Sequence, residues 1–401
     1  MINLSNARFV TIAEGHANKV QFADGTYWEE YAPMLASSNT WYKGAPARNT
    51  FTSITITTNY IPTGNEDESW NADSENTGSI KAYRTGTNLV LAITDGSRFL
   101  YANPNSFLAF GGNSASTRWS KVTKFTGSNL INTSKVTSME RMFDGLFLLE
   151  NIDVSRFDTS SVTNMDMVFN NCELLKEIDV GKWNTSNVTT MYAMFADCTK
   201  IKKLDMSNWD VRKVENANSL VYDCYELEEI NLNNCDWCGI TNIGMSFYRC
   251  YALKEVKLKR SGNAHQNNTV VFQAVLSTCK ALTSFDASGF STEGASDLTY
   301  FFEHCTNLEF IRFRNLDFSK CGKYGYSSFF SGSSKIKRVD FNGIVTTVSG
   351  GNINIFPTNT EHKIEVYVGS EEEKTFVKNY LAYNATNVVI YIGDMPHISI
   401  S

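Results

Sequence analysis

Between Lys121 and Thr347 the apolar residues of this chain change period twice in every 26 residues or so. In IKKLDM, the residues Ile201, Leu204 and Met206 stand at places one, four and six. Leu175, Ile178 and Val180 fill the same places, as do Leu227, Ile230 and Leu232; Leu253, Val256 and Leu258; Leu308, Ile311 and Phe313; and Ile336, Val339 and Phe341. The last two apolar places of each set alternate with polar ones, which predicts a short strand with one face buried. Upstream the spacing becomes three to four. In VTTMYAMFADC the residues Val188, Met191, Met194, Phe195 and Cys198 predict one buried face of a short helix of about two or three turns. Thr185, Ser186 and Asn187 precede it and offer side-chain oxygens for its N-cap.

The register is marked by cysteine. Cys172, Cys198, Cys224 and Cys250 lie 26 residues apart, Cys279 follows after 29 and Cys305 after 26, with Leu146 and Ser333 in the same place at the two ends. A unit of this size cannot bury its own apolar face, so the copies must stack into a solenoid with a continuous core. The expected fold is an α/β solenoid of about eight 26-residue coils, each a strand, a loop carrying Phe157, Trp183 or Trp209, and a short helix.

The flanking segments have other patterns. Residues 1–32 hold two short alternating runs, FVTIAEG and VQFADGTYWEEY, with Gly15 and Gly25 at turns, and predict a small hairpin-like module. Residues 33–120 hold FTSITITTNY, SIKAY, NLVLAIT and RFLYAN between Gly and Asn turns, a β-rich domain placed to cap the first coil. In 348–401, KIEVYVG, EEEKTFVKNYLAY and NVVIYIG read as strand, helix and strand, with Glu371, Glu372 and Glu373 at the helix N-terminus; this predicts a β-α-β C-terminal cap.

The strings DTSSVTNMDMVFNNCELLKEIDV and NTSNVTTMYAMFADCTKIKKLDM closely resemble the BspA-type leucine-rich repeat, through V-T-x-M-x-x-M-F-x-x-C as well as the leucines. The resemblance spans residues 121–347 and loosens toward the C-terminus, where Ala217 and Leu220 replace both methionines and the sixth copy has three extra residues. It implies a protein of bacterial surfaces or of bacteriophage tails, baseplates and fibres.

Composition bears on the choice of setting. The net charge is −6 with no basic block, which argues against nucleic-acid binding. No stretch approaches 18 consecutive apolar residues, so membrane insertion is not expected. The opening MINLSNARFVTIAEG has no basic region followed by an apolar one. These features favour the phage setting that the resemblance allows.

For chemistry the pattern offers little. Small apolar neighbours suit a packing role for the cysteine column, and free cysteine behaves as a small hydrophobe in cores. Cys235 and Cys238 form a lone CDWC with no second pair at ligand spacing, and the pattern does not settle whether they pair or bind metal. His16, His265, His304, His362 and His397 are scattered, and His304 beside Cys305 on one helix would point away from it. No catalytic residue, cofactor or metal is therefore expected.

Two outward-facing sets are the candidate partner-binding residues. Asp153, Asp179 and Asp205 share one outward strand position in consecutive coils, and their mutual repulsion would favour a cation or basic partner unless Lys176, Lys202 and Lys203 neutralise them. Tyr222, Tyr225, Tyr248 and Tyr251 flank Cys224 and Cys250 at equal places and predict one exposed cluster suited to protein or sugar recognition. The expected function is a non-enzymatic phage virion surface protein. Its N-terminal modules would contact other virion proteins, its solenoid a host surface protein or glycan, and homo-oligomers are left open. An architectural virion subunit and a bacterial cell-surface adhesin are the alternatives.

Overall fold

The structure, a computed structural model, describes residues 34–36, 48–106, 108–112, 118–262, 269–322, 324–347 and 351–396, together with the backbone of 19–21 and 27–29. The described residues wind as a β-solenoid of about 10 turns with little helix. The strands follow the alternation: Lys203–Asp205 pairs in parallel with Glu229–Asn231, Leu204 opposite Ile230. Leu204 and Met206 are buried while Lys203 and Asp205 face solvent. Ser284–Asp286, Phe310–Arg312 and Arg338–Asp340 form the same parallel ladder in later coils.

The helix expected in each coil is not formed. Where it was predicted, the backbone runs through tight turns, and alternate amides leave the coil altogether. Met165 donates to the Thr190 carbonyl at 2.9 Å, Met167 to Tyr192 at 2.8 Å, Phe169 to Met194 at 2.9 Å and Asn171 to Ala196 at 2.9 Å. The amides between them close local turns, as Asn170 does onto the Met167 carbonyl and Cys172 onto Phe169. Two positions per coil take left-handed backbone: Met167, Ala193, Ser219, Met245, Ala274 and Tyr300 in one column, and Asn171, Asp197, Asp223, Arg249, Thr278 and His304 in the other. Left-handed backbone costs a residue with a side chain about 1–2 kcal/mol, and the bonds to the next coil offset it. The polar residues read as helix caps serve this stacking too: Thr185 donates through its hydroxyl to the Asp210 carbonyl of the following coil at 3.0 Å.

The core is a set of columns. Each column cysteine donates its thiol to a carbonyl one coil back: Cys172 to Phe143 at 3.3 Å, Cys198 to Phe169 at 3.2 Å, Cys224 to Phe195 at 3.1 Å and Cys250 to Val221 at 3.2 Å. Ser333, in the same place, donates to Phe302 at 2.6 Å. Phe143, Phe169 and Phe195 stack at centroid spacings of 5.4 and 5.5 Å. Trp183 and Trp209 stack at 6.4 Å, their indole nitrogens bonded to the Val154 and Val180 carbonyls.

Winding continues past the repeats at both ends. Leu100–Tyr101 pairs in parallel with Ile131–Asn132, and Ser53–Thr57 pairs with both Asn88–Ile93 and Lys124–Thr126 in a five-stranded sheet. At the far end Ile364–Val368 pairs with Arg338–Asp340, and Val388–Ile392 pairs with Ile364–Val368. Between these two strands Glu371–Phe376 is helical, with Ser370 as N-cap accepting from the Glu373 amide at 3.1 Å. Near the N-terminus Lys19–Gln21 and Tyr27–Glu29 form an antiparallel pair, whereas the FVTIAEG run lies outside the described residues.

Candidate partner-binding edge

The four tyrosines stand where the turn segment meets the strand. They form two stacks rather than one cluster. Tyr222 and Tyr248 stack at 5.1 Å and 14°, Tyr225 and Tyr251 at 5.0 Å and 9°, and all four are half-buried. Equal places on consecutive coils bring the rings to coil spacing, so the solenoid itself sets the geometry. Between the stacks lies Asp223, which accepts from Tyr225 Oη at 2.9 Å and from Arg249 Nη1 at 2.9 Å, while Arg249 Nε donates to Tyr251 Oη at 2.8 Å. The Arg249 guanidinium lies 5.3 Å over the Tyr225 ring, and the Lys280 ammonium 4.5 Å over Tyr251. Burial raises the Asp223 carboxyl above its ordinary value, and burial together with Asp223 does the same to Asp197 one coil earlier. Burial and the bond to Asp223 push the Tyr225 phenol up to about 12.

Beside the Tyr222–Tyr248 stack opens a cleft of about 240 Å³ bounded by Met245, Tyr248, Gln273, Ala274, Tyr300 and Glu303. Sequence reasoning found the tyrosines by register but missed Asp223, Arg249, Tyr300 and Glu303. For Asp223 and Arg249 the signal was present in the two places before each column cysteine, which read Ala196-Asp197, Tyr222-Asp223 and Tyr248-Arg249.

With the stacked coils and their cysteine column in view, the chain can be set beside known proteins. A model described as "BspA type Leucine rich repeat region (6 copies)" matches residues 218–356. Residues 218–356 thus carry a BspA-type leucine-rich repeat region. A second model, described as "Mycoplasma protein of unknown function, DUF285", matches residues 113–234 and 149–260. A comparison with curated protein sequences finds no match. Among solved structures, similarity extends to a leucine rich cell surface protein from Faecalibacterium prausnitzii A2-165, at 13% identity over 97% of this chain and 96% of that one, TM-score 0.33. It extends also to a leucine-rich repeat protein from Bacteroides ovatus ATCC 8483, at 14% identity over 95% and 91%, TM-score 0.35. The pneumococcal vaccine antigen PcpA matches at 14% identity over 98% of both chains, TM-score 0.25. Scores this low add nothing to the assignment, which rests on the repeat match.

In the coils that precede this match the aspartate column has a local task. Asp153 Oδ1 accepts from the Ser155 hydroxyl at 2.6 Å and amide at 3.1 Å, Asp179 from the Gly181 amide at 3.3 Å and Asp205 from the Ser207 amide at 3.0 Å. The Ser155 bonds hold the Asp153 carboxyl below its ordinary value, and those of Ser207 do so for Asp205. Two of the three lysines proposed to neutralise this column pair elsewhere: Lys176 with Glu150 at 2.7 Å and Lys203 with Glu229 at 2.8 Å. A shallow groove between Asp153 and Asp179 also takes in Glu177, leaving that face acidic.

The cysteines of the repeats are free, and burial pushes the thiols of Cys172, Cys198, Cys224, Cys250 and Cys279 far above their ordinary value. Cys235 donates to the Met206 carbonyl at 3.3 Å and is likewise pushed up by burial, to about 12. Cys238 is partly exposed. Among the described residues no group of three or more His, Cys, Asp or Glu side chains is placed to hold a metal ion. His304 is exposed while the Cys305 thiol turns inward to the Leu276 carbonyl at 3.0 Å, so the two do not face each other. No described helix is long and apolar enough to cross a membrane.

Proposed function

We propose that this chain is a non-enzymatic surface recognition protein that grips a partner along the tyrosine edge of a rigid solenoid, mounted either on a bacteriophage particle or on a bacterial cell surface. The observation that carries this reading is the pair of half-exposed tyrosine stacks, Tyr222–Tyr248 and Tyr225–Tyr251. Tyrosine supplies large contact area with few rotors to freeze and a polar tip, which suits recognition of proteins and glycans. Support for a surface role comes from the BspA-type repeat itself, and N-terminal attachment to a particle belongs to the virion version of the proposal. The test is a binding assay of labelled full-length protein on a panel of intact bacterial cells, beside the double variant Tyr225→Ala/Tyr251→Ala. Saturable binding lost in the variant supports the reading; equal binding by both proteins overturns it. Immunogold labelling of purified particles and of cells separates the two settings.

A further inference from the structure

The two tyrosine stacks end differently. In the stack of Tyr225 and Tyr251 the next coil supplies Lys280, whose ammonium lies 4.5 Å from the Tyr251 ring and closes the column with a cation. In the stack of Tyr222 and Tyr248 the equivalent place holds Ser277, which is small and fully buried, and the coil after that supplies Glu303. The Ser277 hydroxyl reaches Glu303 Oε2 at 3.5 Å, so the carboxylate stands over this step. Two coil rises, about 10 Å, separate the level of Tyr248 from that of Glu303, which leaves room for one planar group with ordinary contact on either side. The cleft of about 240 Å³ opens at this step, walled by the exposed Tyr300 and by Gln273.

We propose that the arginine side chain of a protein partner occupies this step, its guanidinium stacked on Tyr248 and paired with Glu303. This rests on the tyrosine edge being a binding surface and names the chemistry it selects. The chain contains its own precedent, since Arg249 lies over Tyr225 while donating to the Asp223 carboxylate. A guanidinium combines a flat face for stacking with a fork of donors for a carboxylate, whereas an ammonium is a hydrated point charge that meets only half of that site. On the coil before the step Arg249 is already engaged by Asp223 and Tyr251, so the carboxylate left to meet an incoming cation is that of Glu303.

The experiment uses the full chain and two dye-labelled peptides, (Arg-Gly)4 and (Lys-Gly)4, followed by fluorescence anisotropy. Expected is saturable binding of the arginine peptide, about tenfold tighter than the lysine peptide, and a loss of about tenfold or more in Glu303→Gln. A second variant, Tyr300→Ala, removes an exposed ring and so tests the cleft without threatening the fold; its expected effect is a weakening of the same peptide. Equal affinity for the two peptides, or unchanged affinity in Glu303→Gln with its melting temperature unchanged, overturns the proposal. So does displacement of the arginine peptide by neutral oligosaccharides at lower concentration than by free arginine peptide. Failure here is distinguishable from failure of the surface reading: cell binding that survives Glu303→Gln sinks the arginine site alone, whereas peptide binding without any cell binding sinks only the surface role.

Discussion

The stretch from Cys172 to Trp209 and the stretch that begins at Cys235 follow the same plan with unequal success. In the first, the thiols of Cys172 and Cys198 find a carbonyl one coil back at 3.3 and 3.2 Å, and the indoles of Trp183 and Trp209 do so at 3.2 and 3.0 Å. Then the indole column stops. Cys235 takes the tryptophan place, and Trp237, two residues on, is fully buried with no partner for its Nε1. Arg260 follows, buried, with Nη1 bonded to the Ser291 and Glu293 carbonyls but Nε and Nη2 unpartnered. Pairing slips nearby, between Val270 and Val271. A solenoid satisfies its polar atoms through the neighbouring copy, so one substitution or insertion disturbs two coils: the altered residue loses its acceptor and the next coil loses its mate.

Breaking the regular side should give the largest effect. Trp209→Ala removes a ring stacked on Trp183 together with the bond to the Val180 carbonyl, and should cost about 3–5 kcal/mol in denaturant unfolding. Trp237→Phe, which loses volume but no hydrogen bond, should cost less than Trp209→Phe, which loses both. A cost for Trp237→Phe equal to that of Trp209→Phe would mean that indole pairing does not distinguish the two regions.

Mending the irregular side comes next. Arg260 is a buried cation whose guanidinium burial pulls below its ordinary value, and it lies over the Phe272 ring at 5.5 Å. Arg260→Met keeps the stem and removes the buried charge, and should raise stability by about 1–2 kcal/mol. A loss of stability would show that the two carbonyl bonds outweigh the unpaired nitrogens.

These contrasts bear on how far the sequence could be read. The strands were legible because alternation on a buried sheet face has no other source: Leu204 and Met206 must point inward if Lys203 and Asp205 do not. The cysteine column was legible as packing, though not the thiol bonds that explain why cysteine or serine suits the place better than alanine. The helix was misread because a spacing of three or four also arises from successive three-residue turns. What separates the two cases is left-handed backbone, and Met167 and Ala193 carry no sign of it, whereas Asn171, Asp197 and Asp223 are residue types that tolerate it. At the edge, register placed the tyrosines in pairs, while Arg249 and Glu303 escaped notice because each occurs once in its column. The lysines near the aspartate column were misassigned because sequence proximity was used where a separation of 26 decides who meets whom.

Thr278 offers a smaller test of the same backbone. It holds φ at 65°, a conformation ill suited to a β-branched residue, while Gly145 and Gly332 occupy this column at its two ends. Thr278→Gly should therefore raise the unfolding free energy by about 1 kcal/mol, whereas Gly332→Ala, whose new Cβ would run into the His304 ring, should lower it. Destabilisation by Thr278→Gly would mean that chain entropy outweighs relief of the left-handed strain.

The smallest effect should come from the surface that looks most orderly. Exposed ion pairs link neighbouring coils at a separation of 26: Glu150 with Lys176 at 2.7 Å, Lys203 with Glu229 at 2.8 Å and Glu228 with Lys254 at 2.6 Å. The Glu228 and Lys254 side chains are 40% and 69% exposed, so water and salt screen them well. A double-mutant cycle with Glu228→Gln and Lys254→Met should give a coupling barely above measurement error, falling toward zero in 1 M salt. A larger, salt-resistant coupling would mean that the coils are held together from outside as well as by their columns of rings, thiols and indoles. In that case the difference between regular and irregular coils would have to be sought on the charged face, where Asp286 pairs with Arg312 at 3.0 Å and Asp340 with Arg314 at 2.9 Å beyond the irregular stretch.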